Sequence, residues 1–382
     1  MNKALIIAIS LLHITLSQAG NIDKGFSIVD DSLKISVSAP QDKVIHVQVV
    51  PVGSQPGKSL IIPETSDPIS DCQVQKGDDF IALKTSSVTA TYSYSDKNIY
   101  FTDSKSGKKI LQEQARSFEQ KNIAGETVWQ VKQTFRLQAD EALYGLGQYQ
   151  EGIMNYRGKK AKLVQANMEI VNPFLLSTQP YGILWDNYSK TLFEDNEKGA
   201  SFWSEVADGI DYYFIYGNDM HEVVAGYHQL TGKVPMFPKS AFGYWQSKER
   251  YKSFDELTDV VKEYRKRQIP LDNIVQDWEY WGDREHWNSL KFDTTHFNHP
   301  TEMIRQLHDR YNVSLMLSVW PGFGKKTDIY KDLEKIGALF DEPTWADYKV
   351  MDIYNPQARQ LFWDHLYKGL YRTGVDSWWM DA

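Results

Sequence analysis

The sequence predicts a β-sandwich followed by the first half of a (β/α)8 TIM barrel, a multidomain β plus α/β chain. Three observations predict it. Residues from about 24 to 235 have a β texture. Two prolines in Val234-Pro235-Met236-Phe237-Pro238 form a stiff junction, and helical and strand patterns alternate from there to Ala382. The expected organisation is a signal peptide over residues 1–19, a β-sandwich over 20–235 and a partial barrel over 236–382. A chain of 382 residues favours more than one domain.

In the first part, residues 44–50 and 87–94 are short runs of β-branched and aromatic residues, punctuated by Gly, Asp, Asn, Ser and Pro. Residues 127–135 alternate with period two over part of their length, as a half-buried strand does. Many strands, frequent turns and almost no helical periodicity imply a sandwich.

After the junction, Phe242-Gly243-Tyr244-Trp245-Gln246 predicts a first strand. Residues 253–267 predict a helix: Ser253 is a candidate N-cap, and Glu256 three residues on completes a capping box. Phe254, Leu257, Val260, Val261 and Tyr264 recur at helical spacing on its buried face. Residues 271–277 predict a second strand and His299-Pro300 opens a helix. Residues 313–320 predict a third strand, apolar almost throughout as a strand covered on both faces should be. Asn355-Pro356 opens another helix, and residues 375–380 predict a fourth strand. Four β/α units are half of a barrel, which takes ~250 residues. A doubly wound open sheet is the alternative, but no Gly-rich phosphate loop follows any strand.

The first residues have the pattern of a secretory signal: Lys3, an apolar core to Leu16, then small residues in Ser17-Gln18-Ala19. The core is short for a membrane span, which needs ~20 apolar residues, and no Cys follows for a lipid anchor. Export to a bacterial periplasm is the expected location. Cys72 is the single cysteine, so no internal disulfide is possible, and a structural role is expected for it. The nine His are scattered without metal-ligand spacing, so no metal or cofactor is implied. A net charge of −8 without a basic run argues against nucleic acid. Twelve Trp, 22 Tyr and 17 Phe suit a carbohydrate partner, whose apolar faces stack on rings, and equally suit a large aromatic core. The oligomeric state is not legible.

In a barrel, residues at the C-terminal ends of strands form the active site. Here those ends are Trp245-Gln246-Ser247-Lys248-Glu249-Arg250-Tyr251, then Gln276-Asp277-Trp278-Glu279-Tyr280-Trp281, then Trp320-Pro321-Gly322, then Trp378-Trp379-Met380-Asp381. Acids beside aromatics at several strand ends suit glycoside hydrolysis, in which carboxylates do the acid/base and nucleophilic work. Either Asp could instead cap a following helix.

The stretches 242–251, 270–282 and 376–381, in this order and spacing, resemble glycoside hydrolase family 31. Upstream, Tyr144-Gly145-Leu146-Gly147-Gln148-Tyr149 and Gly182-Ile183-Leu184-Trp185-Asp186-Asn187 resemble the family's galactose mutarotase-like N-terminal sandwich. The resemblance covers nearly all of the chain after the signal pattern. It implies that Asp381 is the catalytic nucleophile of a retaining exo-α-glycosidase, forming a covalent glycosyl-enzyme. It also implies that Asp277 binds sugar hydroxyls and that Trp278, Trp320, Trp378 and Trp245 wall the substrate pocket. The strand-one and strand-two wording is most like the bacterial α-xylosidase branch, acting on xyloglucan-type oligosaccharides. α-Glucosidases and α-transglucosylases share the scaffold.

The family's acid/base Asp, its subsite Arg and the Glu that follows the nucleophile have no counterpart before Ala382. The 382-residue piece alone is therefore expected to be inactive and unstable, with open strand edges. A non-catalytic carbohydrate-binding protein is the reading from another class, but it gives no reason for an acid at the end of a Trp-rich strand. A mutarotase or epimerase would want a His/Glu pair in the sandwich, where His46 is the only histidine after the signal pattern and before His221.

Overall fold

The computed structural model describes residues 25–63 and 71–381. The expected signal peptide lies outside the described residues. The chain divides into two compact units, Met1–Val234 and Pro235–Ala382.

The first unit is a sandwich of two antiparallel sheets. One has seven strands, in the order Gly25–Asp30, Leu33–Gln41, Val44–Pro51, Ile210–Tyr216, Tyr181–Trp185, Ile170–Ser177 and Leu143–Gln148. The other has nine, running from Lys160–Leu163 to Gln73–Lys76, with the long pair Lys109–Ile123 and Glu126–Arg136 at its centre. Strand periodicity fixes what faces inward. On Val44–Pro51, Ile45, Val47 and Val49 enter the core between the sheets, while His46 and Gln48 point outward to bond Asp211. Phe101, Phe135, Trp185, Phe202 and Tyr212 fill the centre. Cys72 is half-buried against this core.

One buried ion pair interrupts the apolar interior. Glu113 is fully buried and accepts hydrogen bonds from Ile99 N (2.8 Å) and Tyr212 Oη (2.9 Å), and from Arg116, its ion-pair partner at 2.5 Å. These donors satisfy a charge that would otherwise be costly to bury.

The expectation of an almost helix-free sandwich needs a correction. Met220–Thr231 is a helix, capped by Asp219, whose carboxylate accepts from Glu222 N at 2.9 Å. It covers the outer face of the seven-stranded sheet, where Val223 and Leu230 meet Leu184, Tyr213 and Ile215. Only Val223, Gly226 and Leu230 are buried on it, so its apolar stripe is too narrow to register as a strong helical period.

The second unit is the family of β/α repeats that the alternation predicts. The parallel strands Trp245–Gln246, Asn273–Gln276, Ser314–Val319 and Ser377–Met380 lie side by side in sequence order. A doubly wound sheet reverses its order at a switch point, and this sheet does not. The helices Phe254–Lys266, Pro300–Tyr311 and Pro356–Gly369 connect the strands. Ser253 caps the first, accepting from Glu256 N at 3.1 Å, while the Glu256 carboxylate reaches back to Lys252 N (2.7 Å) rather than to Ser253 N. Asn355 caps the third, accepting from Gln357 N and Ala358 N. Leu257, Val261, Ile304, Leu307, Ala358 and Leu366 pack onto Ile274, Leu315, Leu317 and Val319.

Two further elements between the third and fourth strands escaped the sequence reading. One is the helix Asp328–Lys335, capped by Thr327, with Ile329, Tyr330 and Leu333 buried. The other is the antiparallel pair Gly322–Phe323 and Lys349–Val350. Each is too short to establish a period.

Candidate functional site

Register decides which strand residues share a face. Ile274 pairs with Leu315, Gln276 with Leu317, Leu317 with Trp378, and Val319 with Met380. Ile274, Leu315, Leu317 and Val319 belong to the core shared with the helices, so this row faces the helices. The alternate row, on the opposite face, contains Asn273 with Ser314, Val275 with Met316 and Ser377, and Ser318 with Trp379. Continuing the alternation one step past each strand puts Asp277 and Asp381 in this second row. Asp381 N donates to Val319 O at 2.9 Å, which extends the parallel pairing to the acid itself.

The two acids feel one another. Asp277 is buried, and that burial is the largest influence raising its carboxyl above the ordinary value of 3.8; the negative charges of Asp381 and Glu249 push the same way. Trp278 N, which donates to Asp277 Oδ1 at 2.7 Å, pulls it down, as does the nearby Ser318 hydroxyl. Ser318 Oγ is fully enclosed and has no partner in hydrogen-bonding geometry, so its influence on the acid is one of proximity. On the other side, the Asp381 charge reaches the phenol of Tyr348, which burial already raises. Asp277, Asp381, Ser318, Glu249 and Tyr348 thus converge on one end of the sheet.

The aromatic residues divide. Trp278 and Trp320 flank this end and share a support, Trp287, which is fully buried. Its ring centroid lies 5.7 Å from Trp278, 5.2 Å from Trp320, 5.1 Å from Trp345 and 5.1 Å from Tyr348, the last stacked at 12°. Asn288 beside it, also fully buried, donates to Trp320 O (2.5 Å) and Gly322 O (3.2 Å), fixing the turn after the third strand. Gly324 allows that turn to close: a Cβ there would stand 2.4 Å from Glu285 O.

Trp378 and Trp245 do not join them. Trp378 falls in the helix-facing row and packs against the core, one residue out of phase with Asp381. Trp245 pairs with Asn273, four residues before Asp277, which is ~13 Å along the sheet at ~3.3 Å per residue. Its indole donates to Ala241 O at 3.1 Å. Trp379 takes the inward place expected of Trp378. Strict period-two counting back from Asp381 finds it. Trp287 and Asn288 carry no such signal, because they lie in an irregular segment with no repeat, and their contacts reach residues distant in sequence such as Trp320 and Gly322.

Gln276, on the helix-facing side and fully buried, donates through Nε2 to Tyr251 O at 3.1 Å and so ties the first strand's loop to the second strand. Among the described residues no group of three His, Cys, Asp or Glu is placed to hold a metal ion.

Residues 234–382 match the glycosyl hydrolases family 31 TIM-barrel domain, and residues 34–194 match the glycosyl hydrolase 31 N-terminal galactose mutarotase-like domain. The chain belongs to glycoside hydrolase family 31. It is 38% identical over 333 residues to an α-xylosidase of Saccharolobus solfataricus, covering 85% of this chain and 44% of that protein. Among solved structures, a family 31 α-xylosidase from a soil metagenome, complexed with xylose, superposes with a TM-score of 0.84 at 25% identity, over 96% of this chain and 57% of that one. α-Glucosidase 2 of Bacillus thermoamyloliquefaciens is 24% identical over 270 residues, 64% of this chain and 34% of that protein. The chain therefore spans less than half the length of these two full-length relatives.

Proposed function

We propose that the complete gene product is a retaining exo-α-glycosidase, an α-xylosidase acting on xyloglucan-type oligosaccharides, with Asp381 as its nucleophile. The observation that carries this reading is the shared inward row: Asp277 and Asp381 lie one on each side of the third strand, at the same end, near enough for one charge to raise the other's pKa. The identity to the Saccharolobus α-xylosidase supports the xylose assignment.

In this mechanism the Asp381 carboxylate attacks the anomeric carbon and the glycosidic C–O bond breaks. A carboxylic acid must protonate the departing oxygen, and water then releases the sugar from Asp381 with inversion at each step. The resemblance assigns that acid to a family position that follows Ala382. Asp277 accepts hydrogen bonds from sugar hydroxyls; Trp278 and Trp320, supported by Trp287, form walls of the pocket. An exported, periplasmic enzyme fits the N-terminal pattern, Lys3 to Ala19.

The test compares initial rates on 4-nitrophenyl α-xyloside and α-glucoside for the complete gene product and Asp381→Ala. Mass spectrometry after trapping with a 5-fluoro-xylosyl fluoride locates the labelled residue. Xyloside preference, loss of activity in the variant and label on Asp381 are expected. Preference for the glucoside would replace the substrate by the one the Bacillus relative's name carries. Full activity without Asp381 would overturn the mechanism.

A further inference from the structure

The segment after the first strand and the segment after the second are joined by an ion pair that neither the fold nor the two acids account for. Arg250 and Glu279 meet at 2.6 Å, with the two side chains 30% and 22% exposed. Both residues hold left-handed backbone, φ 53° for Arg250 and 59° for Glu279. Residues with a Cβ adopt that region at an energetic cost and keep it where the surroundings over-determine it. The Arg250 guanidinium also lies over the face of Trp278, 5.2 Å from the ring centroid, within the range of a cation–π contact. Glu279 and Asp277 flank Trp278 in sequence, so the ring is held by its own backbone and by contacts to both Trp287 and Arg250.

We propose that Arg250 is a positioning residue for substrate binding: anchored by Glu279, it fixes the Trp278 ring against the sugar that Asp277 and Asp381 receive. This rests on the proposed glycosidase function. A partly exposed ion pair between two loops contributes modestly to stability, so a role confined to joining them would show in Tm rather than in KM. A role in placing Trp278 acts on binding before chemistry and raises KM more than it lowers kcat. Arginine suits the task better than lysine, because its planar fork can bond a carboxylate and stack on a ring together.

The experiment measures kcat, KM and Tm on 4-nitrophenyl α-xyloside for the complete gene product, Arg250→Met, Arg250→Lys, Glu279→Gln and the Arg250→Met/Glu279→Gln double variant. Methionine keeps the aliphatic stem over the ring without the charge. Arg250→Met and Glu279→Gln are each expected to raise KM about tenfold, with kcat within about threefold and Tm nearly unchanged. The double variant should add little to either, since both changes release the same ring, and Arg250→Lys should recover only part of the loss. A lowered Tm with unaltered KM, or equal losses in kcat alone, would overturn the proposal. If wild type is active and Asp381→Ala is not, such a result removes only the role of Arg250. If Asp381→Ala stays active, the underlying functional reading goes first.

Discussion

Trp287 offers the sharpest test of how the proposed pocket walls, Trp278 and Trp320, are held. Replacing it by alanine removes a fully buried ring with five aromatic neighbours, including Trp278 and Trp320. A buried Trp hides ~150–250 Å², which at ~25 cal/mol/Å² is worth ~4–6 kcal/mol. Core Trp→Ala changes cost ~3–5 kcal/mol. One opposing effect lowers the loss: the Trp287 indole N–H is buried without a hydrogen-bond partner, and an unsatisfied donor costs ~1–3 kcal/mol.

Trp287→Ala should therefore cost ~3–4 kcal/mol, and Trp287→Phe, which keeps a ring and removes the orphan donor, only ~1–2 kcal/mol. For a unit of about 150 residues the alanine loss is a fall of ~6–15 °C in the barrel transition. The assay is thermal and guanidinium unfolding followed by far-UV circular dichroism, with KM measured beside it. Because both proposed pocket walls, Trp278 and Trp320, lean on this ring, KM should rise in the alanine variant. An alanine variant within about 2 °C of wild type, or a phenylalanine variant as damaged as the alanine one, would refute the reasoning.

Asp277→Asn should stabilise the fold while abolishing activity. Burial raises the Asp277 pKa in the folded state, so the folded protein holds that proton more tightly than the unfolded chain does. The group's cost to stability is absent below 3.8 and grows as pH rises through the folded pKa. The gain in Tm on substitution should then be larger at pH 7 than at pH 4, and an equal gain at both would contradict it. Glu113→Gln should cost the sandwich ~3–5 kcal/mol by leaving the Arg116 charge buried without its counter-ion, read from guanidinium unfolding. The two neighbouring tryptophans should separate cleanly: Trp378→Ala lowers Tm with little effect on KM, and Trp379→Ala lowers kcat/KM tenfold or more with little effect on Tm. Reversed effects would mean that the inward and helix-facing rows have been exchanged.

Much of the architecture was legible because it rests on local patterns. The apolar third strand, the Ser253 and Asn355 caps and the 3/4 spacing of Leu257 and Val261 each arise from chain periodicity, and each element formed within a few residues of its expected place. The helices Met220–Thr231 and Asp328–Lys335 were not legible: the first buries only Val223, Gly226 and Leu230, and the second spans just eight residues, too few to establish a repeat. The acids Asp277 and Asp381 were legible as polar residues ending apolar strands beside aromatics.

By itself, then, the sequence determined the fold class and the order of the β/α units, and it marked Asp277 and Asp381 as acids ending two of the strands. The tertiary structure decided which aromatic residues stand beside them. Trp378 and Trp379 are adjacent in sequence and so lie on opposite faces, and the pairing with Leu317 and Ser318 shows that Trp378 faces the helices and Trp379 the other side. Trp287, Asn288 and the Arg250–Glu279 pair act through contacts between separate loops. Such contacts leave no periodic trace in the chain, because the partners are set by where the strands end in space.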